Sequence, residues 1–175
     1  MSAALHLIIG PVGAGKSTFA AALAAERGAL RLTLDDWMAR LYGADARPQS
    51  GVVDWYLERR DRCLDQIWEV AADALRLGVE LVLEVGLIRR DERLAFYARV
   101  DAIAAPLTVY VLDAPRELRR RRVERRNVDQ GATFATVVPP HIFEMASDMW
   151  QAPDADECRA RDVRILPMPG DALAP

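Results

Sequence analysis

The sequence predicts an α/β fold in which a parallel sheet of about five strands is covered by helices on both faces. Three observations carry that prediction. Short apolar runs alternate with longer helical segments along the chain, which is the pattern of strand–helix–strand crossovers. The strand-like runs end at Gly10, Thr33, Glu84 and Asp113, and right-handed crossovers bring such carboxyl ends to one edge of a parallel sheet. The 175 residues suffice for a single domain with a buried core, and no internal repeat or long low-complexity linker divides them.

The elements follow in order. Residues 4–9 read as a short buried strand ending at Gly10. Residues 16–27 read as a helix in which Phe19, Leu23 and neighbouring alanines give a small-residue face suited to close packing on a sheet. Residues 30–33 form a second strand, and residues 35–42 a helix that opens on two acids, Asp35 and Asp36. After a loop over 43–51, residues 53–77 make a long amphipathic helix with Trp55, Leu64, Ile67, Trp68 and Leu75 in its apolar stripe. Gly78 stops it, and residues 80–85 are a third strand. Residues 90–102 are helical, 107–112 a fourth strand, and 116–126 a strongly basic helix. Residues 130–140 read as a loop or broken helix. Pro140 then fits the first position of a helix through Trp150, and residues 162–166 close the pattern as a last short strand.

Composition narrows the setting. A formal net charge of −3 gives no global pull toward nucleic acid or an anionic membrane. Cys63 and Cys158 are far apart and outside any metal-ligand or redox spacing, so a reducing cytoplasm is expected. The N-terminus lacks a signal-like pattern, and no apolar stretch approaches the roughly 20 residues that span a bilayer. Nearly every cation is arginine, and Lys16 is the only lysine. A lysine kept in so arginine-rich a chain points to a place where a compact ammonium is needed and a planar guanidinium will not fit.

Gly10, Pro11, Val12, Gly13, Ala14, Gly15, Lys16 and Ser17 match GxxxxGK[ST] without a gap, between a strand and a helix. Glycines in such a loop let backbone N–H groups converge on an anion, and the following helix aims its N-terminus at the phosphates. The lysine reaches the β- and γ-phosphates and the serine hydroxyl coordinates magnesium. Gly10, Val12, Gly13, Ala14, Gly15, Lys16, Ser17 and Thr18 are therefore the expected nucleotide-binding set, with ATP and Mg²⁺ as its ligands.

Two acids are expected beside it. Asp35 follows the second strand, where a carboxylate takes a proton from an acceptor hydroxyl or helps hold the magnesium; the alternative is that Asp35 and Asp36 only favour the helix N-terminus. Trp37 reads as packing or as a pocket wall. Glu84 ends an apolar strand, where a lone carboxylate is costly to bury. It is expected to face the crevice and bind magnesium through water or touch substrate, the alternative being an ion pair with Arg89, Arg90 or Arg93. On the basic helix, Arg119, Arg122 and Arg126 share a face by helical spacing. Arginines there can stabilise the charge of a transferring phosphoryl group, follow a nucleic-acid backbone, or merely be solvated.

With these motifs the chain resembles P-loop kinases of the group that includes zeta toxins, chloramphenicol phosphotransferase and the 5′-kinase domain of polynucleotide kinases, together with many AAA-like ATP-binding proteins. The resemblance runs from Leu5 to about Glu157. It implies a P-loop NTPase three-layer fold like that of nucleoside monophosphate kinases, as one domain over 1–175 with a helical lid near 116–133. It implies Asp35 as the base for the acceptor hydroxyl and Arg122 and Arg126 as lid arginines. It also implies that residues 143–157, with Pro153, lie near the nucleotide base. The chain departs from that group in two places. Glu84-Val85-Gly86 replaces the usual aspartate and its polar followers, and Met38 stands where polynucleotide kinases hold the substrate phosphate with arginine, leaving Arg40 as the nearest cation. Both departures favour a small-molecule acceptor over a polynucleotide. The expected activity is transfer of the γ-phosphoryl group of ATP to a hydroxyl. A polynucleotide 5′-end kinase and a nucleotide-binding switch without an acceptor are the alternatives.

Overall fold

The structure, a computed structural model, describes residues 3–131 and 134–166. Its strands are β1 (Leu5–Ile9), β2 (Leu30–Thr33), β3 (Leu81–Glu84), β4 (Leu107–Leu112) and β5 (Asp162–Leu166). Its helices are α1 (Lys16–Arg27), α2 (Leu34–Tyr42), α3 (Val52–Arg76), α4 (Arg90–Ala102), α5 (Arg116–Asp129), α6 (Pro140–Asp148) and α7 (Ala155–Ala160). The sheet runs β2-β3-β1-β4-β5, and every neighbouring pair is parallel. The order reverses direction at β1, so the loop after β1 opens into the crevice where open α/β sheets bind ligands.

Strand alternation splits the core into two clusters. Leu5, Leu7, Ile9, Leu81, Leu83, Val109 and Val111 point to one face, against Cys63 and Ile67 of α3 and Phe96, Tyr97 and Val100 of α4. Ile8, Val82, Tyr110 and Leu112 point to the other, against Ala20, Leu23 and Ala24 of α1. The small residues of α1 let its backbone lie close to the sheet, as its sequence predicts. The strands β1 and β3 are buried throughout, which explains why they are apolar apart from His6 and the terminal Glu84. This is the three-layer α/β/α architecture of P-loop kinases.

Two segments differ from expectation. Helix α5 continues past Arg126 to Asp129, because the polar residues beyond it still support helix. Helix α7 is an addition: Asp154 caps it, its side chain accepting from the N–H groups of Asp156 and Glu157. The helix exists to bring Glu157 to Arg93. That pair is fully buried and bidentate, with Arg93 Nε to Glu157 Oε1 at 2.8 Å and Nη2 to Oε2 at 2.9 Å. Among the described residues no helix is long and apolar enough to cross a membrane, and both cysteines are free.

Candidate nucleotide and phosphoryl-transfer site

The phosphate loop is compact because two of its glycines sit where a side chain has no room. A Cβ on Gly10 would lie 2.0 Å from the Leu112 carbonyl oxygen of β4. At Gly13, with φ +79°, it would lie 2.6 Å from the Arg119 carbonyl oxygen and 3.0 Å from the Arg119 Cβ. Gly15 takes the left-handed conformation at the N-cap of α1, so Lys16, Ser17 and the exposed Thr18 form its first turn. Ala14 is buried and its N–H donates to Pro11 O at 3.2 Å. The Lys16 ammonium donates to the same Pro11 carbonyl at 2.9 Å, curled over the loop it would serve. Burial holds the Lys16 pKa below the usual lysine range, against the opposing pull of Glu84 and Asp35.

Beside the loop, Ser17 Oγ donates to Glu84 Oε1 at 2.9 Å. Glu84 is buried, and that burial pushes its carboxyl up, with Lys16 and the Ser17 bond acting in the opposite direction. The contact turns the Glu84 side chain into the crevice, and Arg93, one of the three arginines weighed as its partner, is bound to Glu157. A hydroxyl and a carboxylate side by side next to a phosphate loop form an oxygen donor set that suits magnesium, which prefers one or two protein ligands plus phosphate oxygens and water. Among the described residues there is no group of three or more His, Cys, Asp or Glu able to cage a metal alone.

These groups open into a shared cleft. Ser17 and Glu84 lie at its floor, Arg31, Thr33, Asp35 and Asp36 form one wall, and Arg126 with residues 135, 136 and 138 forms the other. Asp35 is exposed in the first turn of α2, and it caps nothing, since Thr33 holds the N-cap position without a side-chain cap bond. The second wall is drawn in by Asn127. Its Nδ2 donates to Val138 O at 2.8 Å and its Oδ1 accepts from Val138 N at 3.1 Å, closing the loop that follows α5.

The other expected residues are distributed differently. Arg122 lies half-buried one turn before Arg126. Arg119 serves the loop's backbone: it is buried, with Nε donating to Ala114 O at 2.9 Å and Nη1 to Val12 O and Ser147 Oγ at 3.0 Å each. Trp37 and Met38 are half-buried against the main core, and Arg40 is exposed in the last turn of α2. Pro153 lies between Gln151 and Asp154, whose bonds run to Ile88, at 2.9 Å, and to Arg90, at 2.6 Å. The structure thus ties its segment to the start of α4. Arg31 is the cation that motif reading misses. Strand alternation was the available signal, because Arg31, Thr33 and the Thr33-paired Glu84 share one side of the sheet.

The remaining arginines of α5 are matched by acids. Arg116 pairs with Glu144 and Asp148, Arg120 with Glu144 at 2.7 Å, Arg121 with Glu117 at 3.8 Å and Arg125 with Asp129 at 3.2 Å. Each pair adds little stability at the surface.

Comparison with known proteins agrees with the fold. The family model described as an AAA domain matches residues 5–139. Among solved structures, a sugar kinase from Janibacter sp. aligns at a TM-score of 0.62 and 19% identity, over 94% of this chain and 84% of that one. Kti12 from Chaetomium thermophilum, solved with ADP-AlF3, aligns at 0.66 and 17%, over 93% and 88%. A chain of the Pnkp1/Rnl/Hen1 RNA repair complex aligns at 0.66 and 18%, over 84% of this chain but only 43% of that one, so this chain spans less than half of its length. No curated protein matches the sequence. With its phosphate loop, parallel five-stranded sheet and a family match over most of its length, the chain belongs to the AAA domain family.

Proposed function

We propose that this protein is an ATP- and magnesium-dependent phosphotransferase that moves the γ-phosphoryl group of ATP to a hydroxyl of a small-molecule acceptor. One observation carries the reading: the exposed Asp35 carboxylate opens into the same cleft as Ser17, Glu84 and Arg126. A proton acceptor, a metal donor pair and a phosphate-facing cation are what in-line phosphoryl transfer requires of a protein. The loop N–H groups and Lys16 hold the β- and γ-phosphates, Lys16 exchanging the Pro11 carbonyl for phosphate oxygen. Ser17 and Glu84 hold magnesium, which when bound neutralises charge on the phosphate oxygens.

Asp35 orients the acceptor hydroxyl and takes its proton as the hydroxyl oxygen bonds to the γ-phosphorus. The bond from that phosphorus to the bridging oxygen breaks, and the electron pair leaves with ADP. Arg126, with Arg122 a turn behind it, faces the charge spread over the transferred group. In this reading the end of α5 and residues 134–138, held to it by Asn127, act as the lid; residues 132 and 133 of the expected lid lie outside the described residues. The small acceptor is preferred over a polynucleotide end because the surface arginines of α5 are already paired with carboxylates.

The test is ADP release by Asp35→Ala alongside nucleotide affinity. Expected is a loss of acceptor-dependent turnover of at least ~100-fold, the usual size of a lost general base, with ATP binding retained. Full turnover in Asp35→Ala would refute the mechanism and favour a nucleotide-binding switch.

A further inference from the structure

Phosphate, metal and proton transfer account for Lys16, Ser17, Glu84, Arg126 and Asp35, and leave two groups of the cleft wall without a task. Thr33 is 6% exposed and lines the cleft, and its Oγ1 has no hydrogen-bond partner among the described residues. Buried hydroxyls are nearly always bonded, and this one borders the cleft without a partner from the described protein groups. Arg31 lies two residues earlier on β2, on the same side of the strand, and lines the same cleft. Its Nη2 meets Asp36 Oδ2 only at 3.6 Å, too long for a hydrogen bond. Its planar set of N–H donors borders the cleft, where Asp36 and Glu84 are the carboxylates that act on it, and among the described residues neither takes a hydrogen bond from it.

We propose that Arg31 and Thr33 form an anion subsite, and that the acceptor is a small alcohol carrying a carboxylate or phosphate beside its reactive hydroxyl. The inference rests on the phosphotransfer reading above, which supplies the hydroxyl. A guanidinium fork matches two oxygens of either anion, and such charge-assisted pairs are strong and directional. The Thr33 hydroxyl donates to the same group. Asp35 follows two residues later at the start of α2, so an alcohol anchored by its anion on β2 brings its hydroxyl to the base. A neutral polyol could satisfy Thr33 but not the fork. Among the described residues no aromatic ring lines the cleft, which leaves a nucleobase without a stacking surface. Asp36 limits the total negative charge the subsite accepts and so disfavours a polyanionic chain.

The experiment is calorimetric titration of the protein saturated with a non-hydrolysable ATP analogue and magnesium. The probes are D-glycerate, glycerol 3-phosphate and glycerol, one alcohol with a carboxylate, a phosphate or neither. Wild type should bind at least one anionic probe at least ~10-fold more tightly than glycerol, the scale of a charge-assisted pair. Arg31→Ala should erase that preference, Arg31→Lys restore part of it, and Thr33→Val weaken anion binding by a smaller factor, all with wild-type affinity for the nucleotide analogue. Whichever anion binds more tightly identifies the group. Equal binding of all three probes, or no anion binding, or a preference that survives in a folded Arg31→Ala, overturns the subsite. ADP release separates this inference from the reading beneath it. Anion binding without ADP release from any bound alcohol would count against phosphotransfer and leave the subsite standing. ADP release with glycerol and not with the anions would do the reverse.

Discussion

At Gly13 a single hydrogen atom keeps two elements together, because any Cβ there would enter the backbone of α5 at Arg119. Gly13→Ala should therefore lower stability by about 2 kcal/mol or more, through a strained φ and displacement of α5. Denaturant titration would show it as a lower midpoint at unchanged slope, and the nucleotide-induced thermal shift should vanish with it. Glu84 makes a different prediction. Glutamine keeps an oxygen for the Ser17 hydroxyl but loses the charge for magnesium. Glu84→Gln should leave ATP binding in chelator intact while raising the magnesium concentration needed for full thermal stabilisation by ~10-fold or more; an unchanged magnesium titration would remove Glu84 from the metal site. These loop and acid positions were legible in the sequence because the motif fixes their spacing and the strand ends fix their edge. Thr33 was legible too, as a strand end at that edge, whereas Arg31 was missed because its place in the cleft depends on which side of an edge strand it takes.

Among the elements, α5 was legible as a basic helix but not as a buttress. The sequence reads Arg119, Arg122 and Arg126 as one face, and helical spacing cannot tell which of them is buried. The structure sets Arg119 under the loop, where it links Val12, Ala114 and Ser147. Helix α7 was illegible for a related reason: six residues give no period to read, and its purpose is a distant partner on α4. That contact between α4 and α7 carries a pH prediction. Burial first, then the Glu157 charge, pushes Tyr97 up to about 12. The phenol of an unfolded chain titrates near ~10, so the folded state favours the neutral ring. Its contribution to stability is present below pH ~10 and is lost as pH rises toward about 12. Wild type should lose stability over that window, and Tyr97→Phe should flatten the loss, as read by denaturant midpoints followed from below pH ~10 up toward about 12. Equal slopes in both proteins would place the alkaline transition elsewhere.

For the whole molecule, the sheet order explains why residues so far apart in sequence meet. The parallel strands β2 and β3 bring Thr33 and Glu84 to the edge where α1 begins after β1 with Ser17, and the helices that follow β2 and β4 supply Asp35 and Arg126. Ligand binding should therefore stabilise the fold as a unit. ATP–magnesium at 100 times its Kd should add about 2.7 kcal/mol to global stability. Lys16→Ala should forfeit most of that gain while melting like wild type when unliganded, since the Lys16 ammonium makes one bond to a loop carbonyl. A gain that persists in Lys16→Ala would mean the nucleotide is held elsewhere.

The solitary lysine also makes the protein its own occupancy meter. No other side chain bears a primary amine, and burial keeps this one below the usual lysine pKa, nearer its reactive neutral form. An acyl-phosphate nucleotide probe has one internal amine to tag, and bound ATP shields it. The fraction of intact chains carrying the added mass, read by spectrometry, then counts empty loops directly in a mixture of states.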